Sequence, residues 1–413
     1  MSKSAHLMKP VFPQRFAILT LALTLMALAP PLRAQVPVLS LEEALEVARL
    51  NYPLIRRDQQ QIAQQQALLP TAAARPATRV FIAGDEADFQ GIRGIHGLGF
   101  IQDFNWPGLK ARREGLLQQG LLLSNAQLEL TQYELRRKVA QAYLEVLYAR
   151  EQQELTRQEQ ELFAELLSLS QLRFDLGETG KIPVLSAQGK LQEARLRQQQ
   201  AQLSSTTALT AFNNWLYADT LYEVADRRLP PAEGYFTWFV NRGHPRLLYQ
   251  QQEVNLAQAR IPLEEAQRLP QIRAGGQLQM VDGNSPFYAY QIGLNLPLGL
   301  KSIRARVQEA KLAVETSNIE LEAARLELEN QRRYLLEQLK SEQATLDFLR
   351  REMLPLGNQL IDDSRKAYAQ GTIEYQDYLR NLEQALDSRR QHLESLYRYN
   401  ALKLELEFLS GRK

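Results

Sequence analysis

The chain has 413 residues, and its 49 Lys and Arg are matched by 47 Asp and Glu, for a formal net charge of +2. That balance excludes the basic excess with which a protein neutralises phosphates, so no nucleic-acid partner is expected. Cysteine is absent, which excludes disulfides, thiolate metal sites and an acylated N-terminal cysteine, and the few His, at positions 6, 96, 244 and 392, are scattered.

The chain opens on a targeting pattern. Lys3, Lys9 and Arg15 precede the apolar run from Phe16 to Ala29, and Ala34 closes a plausible cleavage site. Residues 1–34 read as a cleaved secretory signal, with the mature chain starting near Gln35. The alternative is a membrane anchor, but the run is shorter than the roughly 20 residues a spanning helix needs. No later stretch is apolar enough to span a bilayer as a helix. An exported chain of this kind is either soluble or crosses a membrane as β-strands.

Ser40, with Glu43 three residues later, predicts a capped helix through Leu50, and a second helix runs from about Pro53 to Leu69, ending at Pro70. From Thr71 to Asn105 the chain is rich in Gly and aromatics. A strand near Thr78 to Asp85 is loosely patterned. In the next, His96, Leu98, Phe100, Phe104 and Trp106 share one parity and Gly97, Gly99, Asp103 and Asn105 the other. Trp106 and Phe104 either anchor at a lipid interface or plug the junction with the helices that follow.

The stretch from Lys110 to Leu172 has no proline and repeats its apolar residues at helical spacing, as in Leu128, Leu135, Val139, Ala142 and Val146. It predicts one helix on the order of 90 Å long, which needs partners along most of its length. Hydrophobic content is 45% but mean hydropathy is −0.36, the balance of long helices with narrow buried seams. The helix stops near Asp175 to Gly180, and a return helix from about Ile182 to Trp215 completes a hairpin. Tyr217 to Gly234 is an irregular connector.

The plan then repeats. Tyr52-Pro53 recurs as His244-Pro245, Leu69-Pro70 as Leu269-Pro270, and Asn105-Trp106-Pro107 before Gly108-Leu109-Lys110 as Asn295-Leu296-Pro297 before Gly299-Leu300-Lys301. Arg173 to Gly177 aligns with Lys366 to Gly371. Near-constant offsets argue for a tandem duplication, residues 35–233 and 234–413, each a helix, a β-hairpin, a long helix, a glycine turn and a return helix. In the second copy Ile272, Ala274, Leu278 and Met280 alternate with Arg273, Gly275, Gln277 and Gln279. After the turn at Asp282-Gly283-Asn284, Ile292, Leu294 and Leu296 alternate with Gln291, Gly293 and Asn295.

Each hairpin thus has one apolar and one polar face, which fits a soluble sheet on a helical core or a membrane barrel with its apolar face on lipid. Four strands cannot close around a pore, whereas three chains supply twelve and also assemble the long helices into a bundle.

The duplicated plan, the opening Leu41-Glu42-Glu43-Ala44-Leu45 with Asn51-Tyr52-Pro53, the proline ending each first helix and the two glycine turns resemble the TolC-like outer membrane efflux proteins across essentially the whole mature chain. The little sequence beyond Phe408 is most similar to the heavy-metal efflux branch. The resemblance implies a mainly α chain with a membrane β-barrel: long α-helical hairpins, four strands per chain, and a homotrimer whose twelve-stranded barrel sits in outer membrane lipid. Its helical tunnel crosses the periplasm to a periplasmic adaptor (membrane fusion protein) and an inner-membrane pump of resistance-nodulation-division type, in an efflux or type I secretion system. No cofactor is implied.

Residue by residue, the second turn, Ala367 to Thr372 followed by Asp377, is similar to the family's periplasmic entrance. There Tyr368 joins the constriction and Asp377 forms an acidic ring on the axis. Arg380 stands where a second aspartate is frequent, and an Asp377–Arg380 pair at i, i+3 would neutralise the ring locally. Asp377 as a merely solvated charge at a helix start is the other reading. Gly177 and Gly371 are turn glycines first; by resemblance they also form adaptor-contact tips, flanked by Leu176, Glu178, Gln370 and Thr372. Neither His96 nor His244 has a neighbour at metal-ligand spacing. No G-x-S-x-G, phosphate loop or H-E-x-x-H occurs, so no enzyme is expected. The competing reading is an exported soluble coiled-coil scaffold or adaptor, which would cover its hairpins with a core.

Overall fold

The computed structural model describes residues 36–85, 94–232 and 243–410. The signal at 1–34 and the boundary drawn between 233 and 234 lie outside the described residues. After a short strand, β1 (Val38–Leu39), Ser40 opens α1 (Leu41–Asn51) with a reciprocal cap. Its Oγ accepts from Glu43 N at 3.4 Å, and Glu43 Oε2 accepts from Ser40 N at 2.8 Å. Pro53 starts α2 (Pro53–Leu68) in the first turn, where its missing N–H costs nothing. Pro70 does not stand beyond the helix but inside a 3-10 turn over Leu69–Ala73.

Strands β2 (Arg79–Asp85) and β3 (Ile95–Phe104) lead into α3 (Leu109–Asp175), about 100 Å long at 1.5 Å per residue, and α4 (Lys181–Leu216) returns along it. Within the predicted irregular connector, β4 (Glu223–Val224) pairs in parallel with β1, Val38 opposite Glu223 and Leu39 opposite Val224. Arg150 of α3 fixes it by donating to Val224 O at 2.9 Å and pairing with Glu223. Two-residue strands leave no periodicity to read.

The order resumes with α5 (Pro245–Ala266), β5 (Gln271–Val281), β6 (Asn284–Asn295) and α6 (Leu300–Phe348). The second long helix is not uniform. A π turn over Leu349–Met353 joins α6 to α7 (Leu354–Ala369), just before Pro355, whose ring and missing N–H a regular turn would not accommodate. The chain returns through α8 (Tyr375–Leu409). Close approach of α7 and α8 uses Gly357, where a Cβ would lie 3.5 Å from Ala385 Cα.

The larger sheet has the order β2-β3-β5-β6, antiparallel throughout, so β2 and β6 are its edges. Register places Ile82 opposite Leu98, Leu98 opposite Leu278 and Leu278 opposite Tyr288. The apolar parities therefore merge into one face across all strands. That face is uncovered: Ile82 is 85%, Tyr290 85% and Ile292 78% exposed. A soluble sheet would bury it; an isolated apolar face of this breadth is what lipid covers. On the other face Arg273 Nε donates to Asp103 Oδ1 at 2.8 Å, and Asn295 Nδ2 reaches the same oxygen at 3.3 Å. Gly97 and Gly99 leave room there for Gln277 and Phe81, whose side chains occupy the space a Cβ on either glycine would take.

The core is distributed along the hairpins. Leu135, Val139, Tyr143 and Val146 of α3 pack on Phe212 and Leu216 of α4, while Leu335, Leu339 and Leu346 of α6 pack on Tyr399 and Leu406 of α8. A third cluster, Phe163, Leu166, Leu191, Ile361, Tyr378 and Leu382, closes the far end, where α3, α4, α7 and α8 meet. None of the described helices is apolar enough to cross a membrane.

Candidate functional site

At that far end two helix-to-helix turns lie side by side. In the first, Gly177 has φ 75°, its N–H donates to Phe174 O at 2.9 Å, and Glu178 N donates to Arg173 O at 2.9 Å. In the second, Gly371 also has φ 75°, its N–H donates to Tyr368 O at 3.1 Å, and Thr372 N donates to Ala367 O at 2.9 Å. Both are helix stops built on a left-handed glycine, which satisfies carbonyls the helix end leaves free. Their hydrogen bonds match Arg173 to Ala367, one residue off the sequence alignment with Lys366. Leu176, Gly177, Glu178, Gln370, Gly371 and Thr372 are all exposed at this extremity.

One side chain ties the two turns together. Arg173 of α3 stacks its guanidinium 4.8 Å from the ring centroid of Tyr368 and donates to Tyr368 O at 3.4 Å and Ile373 O at 3.5 Å. Its Nε also pairs with Glu178 at 3.2 Å. A planar cation over an aromatic face with several donors in use is the contact Arg makes and Lys does not.

Tyr368 is 1% exposed. Its ring lies 5.1 Å from that of Tyr378 and 6.4 Å from that of Tyr375. Ser170 Oγ gives its proton to Leu166 O at 2.8 Å, so Tyr368 Oη donates to Ser170 Oγ at 3.1 Å. Burial pushes the Tyr378 hydroxyl up to about 12 and raises that of Tyr375 as well. Asp377, in the first turn of α8, pairs with Arg380 and both remain solvent-accessible. The structure thus gathers Tyr368 and the two glycine turns around Arg173, and leaves Asp377 and Arg380 as a separate pair.

Ion pairs set the spacing of the helices behind the tips. Glu159 of α3, 1% exposed, faces Arg197 of α4 at 3.5 Å and Arg390 of α8 at 3.2 Å. Lys190 of α4 pairs with Glu383 of α8 at 3.0 Å, and Arg365 of α7 with Glu165 of α3 at 3.5 Å. Arg173 and Glu159 escaped the sequence reading, because in a Glu- and Arg-rich helix neither differs locally from its solvated neighbours. The heptad-like spacing of Tyr368, Tyr375 and Tyr378 was the available signal for the aromatic cluster.

His244 serves structure. Its Nδ1 caps α5 by accepting from Arg246 N at 3.2 Å, so Nε2 carries the proton and faces Tyr133 Oη at 2.9 Å, whose own proton goes to Phe408 O at 2.7 Å. Burial holds this imidazole down at about 4. Trp106, 38% exposed, lines an open cavity of about 490 Å³ between the sheet and the helices, with Leu109, Leu263 and Pro297. Among the described residues no group of His, Cys, Asp and Glu is placed to hold a metal ion.

Comparison with known proteins fits this geometry. A sequence model of the family described as outer membrane efflux protein matches residues 102–216 and 241–412. The alkaline protease secretion protein AprF of Pseudomonas aeruginosa is 26% identical over 331 residues, covering 75% of this chain and 67% of that protein. In fold the chain is similar to the outer-membrane channel OprN, with TM-score 0.78, 15% identity and 90% of each chain covered. CusC, solved for its transmembrane channel formation, gives TM-score 0.75 at 14% identity, covering 90% of this chain and 92% of that one. VceC of Vibrio cholerae gives 0.72 at 15%, covering 90% and 96%.

Proposed function

The chain belongs to the outer membrane efflux protein family, and from that premise we propose how its parts make a conduit. Three copies join β6 of one to β2 of the next, closing a twelve-stranded barrel whose apolar face meets lipid. The observation that carries this reading is the uncovered apolar face on a sheet with two free edges, continuous with helices about 100 Å long. The hairpins then bundle into a periplasmic tunnel, and the halves 35–233 and 234–413 act as tandem copies. Their matching glycine turns support the duplication.

The conduit is passive. Energy comes from an inner-membrane pump, reached through a periplasmic adaptor that contacts the tips at Leu176, Gly177, Glu178, Gln370, Gly371 and Thr372. A resistance-nodulation-division pump is the partner proposed for an efflux role. The likeness to a protein named for alkaline protease secretion supports protein export as a second reading of the cargo. At the entrance, Tyr368 works as a buried latch under Arg173 rather than as a wall of the path. In this reading Asp377, paired with Arg380, is the charge that faces the axis. Single-channel recording of the extracted protein in planar bilayers tests the reading: a water-filled conductance altered by substitutions at Arg173 and Asp377 supports it, and no conductance removes it.

A further inference from the structure

We propose that the ring where the barrel meets the helices is a binding site for anionic phospholipid headgroups of the periplasmic leaflet. The inference rests on the barrel reading above. Within six residues of each strand's helical-side end stands an exposed cation: Arg75 before β2, Lys110 after β3, Arg268 before β5 and Lys301 after β6. Among the described residues none of the four has a carboxylate within ion-pair distance, although many other Arg and Lys of the chain are paired at i, i+3 or i, i+4.

The height is fixed by the fold. Strands of this length, tilted at roughly 45°, match an apolar band about 25 Å tall, so residues just beyond their ends stand at headgroup level. Lys110 and Lys301 are in the first turns of α3 and α6, neither of which has a side-chain cap, so the N-terminal N–H groups and helix dipoles add to the positive potential there. Trp106, 38% exposed, lies at the same level, where an indole is favoured between lipid and water. The cavity beside it combines the apolar walls Leu109, Leu263 and Leu296 with the Arg113 guanidinium. Unpaired cations beside an apolar, lipid-facing sheet fit a molecule that carries phosphate and acyl chain together.

The test incubates the full-length, detergent-extracted protein with equal amounts of phosphatidylglycerol and phosphatidylcholine and reads retained lipid by mass spectrometry. Phosphatidylglycerol is expected in several-fold excess, with the preference falling in about 0.5 M salt. The variant Arg75→Gln/Lys110→Gln/Arg268→Gln/Lys301→Gln should approach parity. If it does not assemble, the single variants Lys110→Gln and Lys301→Gln are each expected to bring the ratio part of the way to parity. Equal retention of both lipids by the unmodified chain overturns the proposal, as does full displacement by inorganic phosphate, which would make the belt a free-phosphate site. A protein that stays soluble without detergent and retains neither lipid removes the barrel reading itself.

Discussion

Arg173 of the first helical hairpin lies over the ring of Tyr368 in the second, with the guanidinium carbon 4.8 Å from the ring centroid. Because the same side chain donates to the carbonyls of Tyr368 and Ile373, it holds the second turn by its backbone as well as its ring. The two tips of one chain therefore move as a unit while this contact lasts. Arg173→Ala should loosen them by about 2 kcal/mol, the sum of a desolvated cation–π contact and weak hydrogen bonds. In bilayer recordings it should raise mean conductance or open time. Arg173→Lys should recover only part of the resting state, and equal behaviour of all three proteins would show that the contact does not restrain the entrance.

Asp377 and Arg380 offer a charge test in two directions. Asp377→Asn should reduce preference for cations, and Arg380→Gln should increase it by unmasking the carboxylate. Reversal potentials in a salt gradient read both. Unchanged selectivity in both variants would place the pair away from the ion path, as a solvated i, i+3 ion pair.

Glu159 predicts an asymmetry between removing a buried charge and orphaning it. Its two partners are the half-exposed Arg197 and Arg390, which can turn to water if the carboxylate is lost. Glu159→Gln should cost about 1 kcal/mol or less. The double variant Arg197→Ala/Arg390→Ala leaves a buried anion and should cost about 3–5 kcal/mol. Thermal unfolding of the extracted protein distinguishes them; a larger loss for Glu159→Gln would contradict the account.

His244 makes stability depend on pH. In the folded chain its imidazole sits at about 4, against an ordinary value of 6.5. Between these values the unfolded chain binds more protons, so stability rises with pH in that window and is lost as pH falls from about 6.5 toward 4. Protonation also removes the Nδ1 acceptor that caps α5. His244→Asn, which keeps a capping acceptor without the titration, should flatten the decline in melting temperature between pH 6.5 and pH 4, as checked by melting at stepped pH.

Much of this was legible in the sequence, for physical reasons that differ between elements. The long helices were written by apolar spacing from Leu128 to Val146, the stops by Gly177 and Gly371, and the strands by the parity of Leu98, Phe100, Leu278 and Ile292. These are local periodicities, and the structure keeps their limits to within a few residues. The β1–β4 pair was invisible because it is two residues long and joins distant segments. The π turn before Pro355 was passed over because the apolar pattern runs through it. At the tips, Tyr368 and the glycines stood out by type. Arg173 and Glu159 did not, since their roles depend on which residues of other hairpins face them.

In the proposed trimer, neighbouring copies satisfy the edges β2 and β6. The most direct measurement is the mass of the protein extracted by detergent from the outer membrane fraction, by sedimentation corrected for bound detergent. Three chains per particle are expected. A monomer or dimer, or a protein recovered without detergent from the soluble fraction, would contradict the trimer.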